Sequence, residues 1–172
     1  VLTTETYTGL LDKVEKALAV TVYQDRLCFG GFPERPNGIV MSAVSQYQHF
    51  IGGVSDSDPI EITLGGRKSE SIMWVLGAEV LLVGTTSGIW AVSGGEMAIT
   101  PSNVQAKKIA DFGSNITQPI LVGDILITLQ SARGAIREFS AYQQKVALAT
   151  DLAYDAQHLF PSGIKKLEYQ SD

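Results

Sequence analysis

The sequence predicts a mainly β protein built from antiparallel meanders in blade-like repeats, a partial β-propeller with two short helices. Three observations lead there. Short apolar runs are punctuated by 17 glycines, the pattern of strands separated by tight turns. The order strand, turn, very apolar strand, turn, half-polar strand recurs along the chain. The second strands of the successive units centre near Leu27, Leu81 and Leu126, so the unit recurs after 54 and then 45 residues, close to the ~40–50 residue period of propeller blades. A two-layer β-sandwich is the alternative, since it uses similar strands and turns.

The first unit spans about residues 17–64. Strands over 17–23 and 26–30 flank Gln24-Asp25, a two-residue turn. A loop carrying Pro33, Pro36 and Gly38 leads to a strand over 39–44, and Ile60-Glu61-Ile62-Thr63-Leu64 alternates apolar with polar residues, as a strand wet on one face does. The second unit, about 71–110, has strands at 71–76, 79–84 and 89–94, with turns at Gly77-Ala78 and at residues 85–88, then a more polar strand at 104–109. The third unit, about 119–141, has strands at 119–122, 125–130 and 135–140, turning at Gly123-Asp124 and Arg133-Gly134.

Two helices interrupt this grammar. Thr8 can cap one over about 9–18, with Leu10, Leu11, Val14 and Leu18 on one face. Thr150-Asp151 can cap another over about 151–160, with Leu152, Ala156 and Leu159 inward and Pro161 after its end. Residues 164–170 then read as the first strand of a further unit. Each meander is too thin to bury its own faces, so the units must stack on one another. Three and a fraction blades cannot close a ring of the usual 4–8. Together with a first residue other than Met, this predicts that residues 1–172 form one module, a fragment of a longer chain, completed by further sequence or by neighbouring subunits.

Composition removes several functional classes. Apolar residues make up 45% and charged residues 18%, which is globular composition. Thirteen Lys and Arg against 18 Asp and Glu give a net charge of -5, unsuited to tight nucleic-acid binding, which needs clustered cations. Cys28 is the one cysteine, so no internal disulfide forms. Cys28, His49 and His158 are too few soft ligands for a closed zinc site. No apolar run approaches the ~20 residues of a membrane span, and the polar start Val1-Leu2-Thr3-Thr4-Glu5 does not read as a signal peptide.

The search for chemistry assigns no catalytic, cofactor-binding or metal residues and no cofactor. His49 and His158 lack partners at functional spacing and read as structural or solvent-facing. Ser55-Asp56-Ser57-Asp58-Pro59 offers two carboxylates to a hard cation at Asp56 and Asp58, but lacks the glycine and bidentate Glu of an EF-hand loop and reads as a turn into the next strand. Gly52-Gly53 and Gly94-Gly95 are turns, because no Lys or helix start follows at phosphate-loop spacing. Trp74 and Trp90, in apolar strands, read as core. The pairs Arg67-Lys68, Lys107-Lys108 and Lys165-Lys166 read as solvated faces.

One succession of segments resembles a family. Arg26-Leu27-Cys28-Phe29-Gly30-Gly31, the Pro36 loop, Val40-Met41-Ser42-Ala43 and Tyr47-Gln48-His49-Phe50 open it. Asp58-Pro59 with residues 60–64 follows, then Ile72-Met73-Trp74-Val75, Leu81-Leu82-Val83-Gly84-Thr85 and Ile89-Trp90. Ile99-Thr100-Pro101-Ser102, Gly113-Ser114, Gln118-Pro119-Ile120, Arg137-Glu138, Asp151-Leu152 and His158-Leu159-Phe160 complete it. Over about residues 17–170 this order is similar to that of bacteriophage tail tubular proteins, the nozzle or tail-hub components of short-tailed phages. The stretch between Phe139 and Thr150 departs, being poorer in acidic and aromatic residues.

The resemblance implies a non-enzymatic structural component of the virion tail, made in the host cytoplasm. It also implies a homo-oligomeric ring in the full-length protein, contact with an adaptor ring and fibres, and a channel through which the genome passes without tight binding. Two other readings compete. A propeller-type binding module for glycans or peptides would cluster exposed aromatics such as Tyr47, Phe50 and Tyr142. A propeller hydrolase would pair carboxylates from Asp56, Asp58 or Asp111.

Overall fold

The computed structural model describes residues 16–65, 70–131, 135–140, 149–159 and 163–170. Within them the chain folds into three antiparallel four-stranded sheets with almost no helix. The first sheet runs β1 (Ala19–Tyr23), β2 (Arg26–Gly30), β3 (Gly38–Met41), β4 (Ile60–Thr63) in chain order. The second is β5 (Ile72–Gly77), β6 (Leu81–Thr85), β7 (Ile89–Ser93), β8 (Gln105–Ala110), and the third β9 (Ile120–Val122), β10 (Ile125–Leu129), β11 (Ile136–Ser140), β12 (Thr150–Asp151). Each sheet is a simple up-and-down meander, so neighbours in sequence are neighbours in space. The expected units at 17–64 and 71–110 coincide with the first two sheets.

Turn chemistry sets the registers. Gln24 and Asp25 both adopt positive φ, 46° and 55°, which makes their two-residue hairpin the type whose twist matches the strands. It pairs Tyr23 with Arg26 and, further along, Thr21 with Cys28. Because side chains alternate across a strand, this register sends Ala19, Tyr23 and Cys28 to one face of the first sheet and Val20 and Val22 to the other. Ile39, Met41 and Ile60 join the first set.

That first set meets the second sheet. Ala19, Tyr23, Cys28, Ile39, Met41, Ile60 and Leu64 pack with Ile72, Val75, Leu81, Val83, Trp90, Val92 and Ile99 in one core. The alternate residues of the second sheet (Trp74, Leu82, Ile89) face the other way and pack with Ile109, Ala110, Leu126 and Phe139, joining the third sheet. The second sheet is therefore covered on both sides, and all five residues of β6 are buried. A smaller cluster, Phe32, Val40 and Phe50 with Leu27 and Phe29, covers part of the far face of the first sheet.

The sheets are tied at their edges as well. β1 packs against β5, where the Gly77 amide donates to Thr21 Oγ1 at 3.1 Å. A Cβ at Gly77 would sit 2.2 Å from the Val22 carbonyl oxygen, so this approach requires glycine. The chain leaving each sheet crosses a turn of the sheet it has just completed. Leu64 N donates to Asn37 O (3.0 Å) and Ile72 N to Pro36 O (2.8 Å). One unit later, Ser114 N donates to Thr85 O (2.8 Å), and Asn115 N reaches Leu129 O in the third sheet (2.8 Å).

Both expected helices need correction. Most of the one expected over 9–18 lies outside the described residues, and its end, residues 16–18, is turn and bend leading into β1. In place of the one over 151–160, Thr150 and Asp151 pair with Glu138 and Arg137 as β12. Turns and a single 3-10 turn, Gln157–Leu159, follow. β12 thus completes the third sheet beyond the expected limit of 141. Residues 164–170, expected as a strand, belong to none of the three sheets.

Gly84 is the tightest steric demand inside a strand. A Cβ there would lie 2.1 Å from Cε2 of the fully buried Trp74 indole, in a core where neither ring nor strand has room to move. Gly84→Ala is expected to destabilise the protein by about 2 kcal/mol through overpacking, read as a lowered urea midpoint at unchanged slope. An unchanged midpoint would show that the indole has space to shift.

Candidate functional site

Two buried charged side chains organise the ends of the sheets. Arg26 begins β2 on the face turned toward the second sheet and is fully buried. Its guanidinium donates Nη1 to the carbonyls of Ser42 (2.8 Å), Asp58 (2.6 Å) and Ser57 (3.4 Å), and Nη2 to those of Asp56 (2.7 Å) and Ile99 (3.5 Å). One planar group thereby fastens the β3–β4 loop to the β7–β8 loop of the next sheet. Gln24 adds to this by accepting from the Ile99 amide at 2.8 Å. Burial pulls the Arg26 pKa down from its ordinary value, while the negative charge of Asp58 acts the other way. Beside it, burial pushes the Cys28 thiol up to about 12, so at neutral pH it is protonated and unreactive.

The acidic cluster resolves into this arrangement. The carbonyls of Asp56 and Asp58 are taken up by Arg26, and Asp58 Oδ2 accepts from the Ser55 amide at 2.8 Å, closing the turn. The Asp58 amide donates in return to the Ser55 carbonyl at 2.9 Å, so residues 55–58 form a reciprocally bonded β-turn that holds the loop. Among the described residues no group of three or more His, Cys, Asp or Glu could hold a metal ion.

Glu70 is the second hub, just ahead of β5 and buried. It accepts hydrogen bonds from Trp90 Nε1 (2.8 Å), Thr85 Oγ1 (3.0 Å) and Ser87 Oγ (2.5 Å), and pairs with Lys108 Nζ at 3.5 Å. Trp90 and Lys108 are cross-strand partners on β7 and β8, so the register delivers both to the same carboxylate. Burial alone would raise the Glu70 pKa. The hydrogen bonds from Ser87, Trp90 and Thr85 and the charge of Lys108 outweigh it, and the net shift is downward. A Cβ at Gly88 would fall 2.1 Å from Lys108 Cε, so glycine is what lets the lysine lie across the turn.

Ser87, Lys108 and Glu70 superficially offer a hydroxyl, an amine and a carboxylate. Their bonding is that of a closed clamp. Ser87 gives its proton to an ionised Glu70, and Lys108 is shared between Glu70 and Asp111, at 3.4 Å from the latter. The Glu70 carboxylate that receives this proton is also held by Trp90 Nε1, Thr85 Oγ1 and Lys108 Nζ, so its oxygens are committed to the clamp. Of the carboxylates considered for a hydrolase, Asp111 sits at the end of β8 against Lys108, and Asp56 and Asp58 belong to the Arg26 loop of the first sheet.

The remaining expected residues fall as follows. Trp74 and Trp90 are core, as their strands predict. His49 and His158 are exposed. Phe50 departs from the exposed aromatic cluster expected of a glycan or peptide binder: it is buried against Phe29, ring centroids 5.8 Å apart. Tyr47 is exposed, while Tyr142, Arg67 and Lys68 lie outside the described residues. Lys108, read as part of a solvated pair, is instead half-buried in the Glu70 clamp, whereas Lys107 beside it is exposed. Exposed Tyr47, Ile51, Val54 and Met97 make the tips of the two loops that Arg26 joins apolar.

Comparison with protein-family models gives no match, and comparison with curated proteins gives no match either.

The Glu70 clamp carries a pH signature. A carboxyl with a lowered folded-state pKa stabilises the fold above its unfolded value, near 4.5, and that contribution is lost as pH falls through the folded value. Stability is expected to fall below about pH 4.5, and Glu70→Gln is expected to remove that part of the acid dependence. The same substitution costs about 2 kcal/mol at pH 7, because Lys108 and the buried donors lose their charged acceptor. Urea unfolding of both proteins at pH 3 to 7 tests this. Parallel stability curves would contradict it.

Proposed function

We propose that this chain is a structural, non-enzymatic component of a phage tail, part of a nozzle or tubular subunit. Its consecutive sheets serve as blades of a propeller-like region contributing to the tail channel and to tail assembly. In this reading β1, β5 and β9 are the inner strands of successive blades. The observation that carries the reading is the stacking of consecutive four-stranded meanders face to face. Small sheets that bury themselves only against their neighbours form the radial arrangement of propellers. The order of family-like segments from Arg26 to Phe160 supplies the assignment to the tail.

The interior polar chemistry supports a scaffold. Arg26 and Glu70, the buried charges of the first two sheets, are spent on loop carbonyls and on a turn. A net charge of -5 suits the wall of a conduit, because like-charge repulsion from phosphates lets a genome slide past. Adaptor and fibre proteins of the tail are the expected partners, and the virion tail is the expected location after synthesis in the host cytoplasm.

Immunogold labelling of purified phage particles with antibody raised against this chain tests the proposal. Label at the distal end of the tail is the expected result. Label confined to host cell debris, with particles bare, would overturn it.

A further inference from the structure

Three polar side-chain atoms lie buried without a hydrogen-bond partner on the protein: Trp74 Nε1, Ser114 Oγ and Thr128 Oγ1. All three residues are buried, Trp74 and Thr128 completely. A buried donor or acceptor left alone forfeits its hydration, and native proteins pair such groups with protein or with internal water.

Strand register brings the three together. Trp74 packs with Leu82 and Leu126 in the core that the second and third sheets share. Its Nε1 lies over Gly84, 2.4 Å from where a Cβ would stand. The next residue, Thr85, takes the Ser114 amide on its carbonyl at 2.8 Å. Ser114 in turn pairs with Gln130 as an antiparallel bridge, flanked by Asn115 N to Leu129 O at 2.8 Å and Ser131 N to Gly113 O at 2.9 Å. Residues 114 and 130 are thus a non-hydrogen-bonded pair, the kind whose side chains stand closest on one face. Thr128, two residues back, shares that face with Leu126, which looks to the second sheet. Ser114 and Thr128 are therefore diagonal neighbours, their Cβ atoms somewhat under ~7–8 Å apart. Their hydroxyls do not bond each other. Two hydrogen bonds of about 2.8 Å through one small bridging molecule span such a gap.

The chemistry of the three groups selects the occupant. An indole N–H is a donor only, which repels a cation, and each hydroxyl can donate or accept. The charged side chain on this face of the third sheet, Arg137, pairs with Thr128 across the ladder. Its guanidinium is turned elsewhere, giving Nε to Gln130 Oε1 at 2.9 Å and Nη1 to the Ala149 carbonyl at 3.1 Å. An anion would leave water with no cation bonded to it, at a large desolvation cost. A water molecule fits all three groups: it accepts from the indole and shares its remaining bonds with the two hydroxyls. Three partners is the usual number for an internal water.

We propose that the contact between the second and third sheets is a binding site for one internal water, held by Trp74 Nε1, Ser114 Oγ and Thr128 Oγ1. The water gives this contact a polar joint among β5, the connection at Ser114 and β10, as Arg26 gives one to the contact before it. The inference rests on the packing of these two sheets and is independent of the tail assignment.

A crystal structure of the full chain, with urea unfolding of Thr128→Val and Ser114→Ala, tests this. Density for one water within hydrogen-bond distance of all three atoms is expected. In a dry contact Thr128→Val removes an unpartnered hydroxyl and raises the urea midpoint. With the water bound, the same substitution takes away one of its partners and lowers the midpoint, and Ser114→Ala acts in the same direction. The double variant is expected to lose less than the two single losses together, because both act on one water. Hydroxyls turned onto backbone carbonyls, with no density between them, overturn the proposal. So does a midpoint that either single substitution raises or leaves unchanged, or a fully additive double variant. Should a variant fail to fold, the density in the parent chain decides alone.

Discussion

Burial of both faces of the second sheet is the constraint on which the rest of the structure depends. β6 has no residue in contact with water, and its alternate side chains belong to two different cores: Leu81 and Val83 to the one shared with the first sheet, Leu82 to the one shared with the third. Each large aliphatic or aromatic side chain removed from water in this way contributes about 1.5–3 kcal/mol, and a lone four-stranded meander could collect that on one face at most. Gly77 and Gly84 follow from the same closeness. One admits the backbone of β1 and the other the ring of Trp74, and neither position tolerates a methyl group without displacement of its neighbour.

Polar groups are subordinate to this packing and finish what it leaves open. Arg26 gathers loop carbonyls that would otherwise be buried without partners, and buried backbone groups must be paired. Glu70 gathers the hydroxyls, indole and ammonium that converge where the β6–β7 turn meets β8. The two hubs also couple sheets to loops: Arg26 belongs to the first sheet yet reaches Ile99 in the second. Among the described residues the buried charges Arg26 and Glu70 are thus bonded to the molecule's own loops and turns.

The strands and most turns were legible in the sequence because they depend on local rules: apolar alternation, glycine at turns, and the two-residue hairpin at Gln24-Asp25. β12 was not legible. Thr150-Asp151 carries a helix-capping signature, and Asp151 Oδ1 does accept from the Ala153 amide at 3.1 Å. The same bond closes an Asx turn as readily as a helix cap, and pairing with β11 decided between them. Leu152 N continues that ladder to Ile136 O at 2.9 Å. Residues 164–170 mix apolar and polar residues as a strand can, but they join no ladder within the described residues, since pairing is a property of neighbours and not of the segment. The two hubs were hidden for a related reason. Glu70 takes partners 15, 17, 20 and 38 residues away, and Arg26 reaches as far as 73 residues, distances over which no sequence spacing rule operates.

Native-state hydrogen exchange followed residue by residue measures the central claim most directly. If the doubly covered sheet holds the stack together, the amides of β6 and β7 exchange last and only through global unfolding, while those of β2 and β10 open earlier through partial loss of the outer sheets. Slower exchange in β2 or β10 than in β6 would mean that an outer sheet stands without the middle one, and the account of a stack built around its second sheet would be wrong.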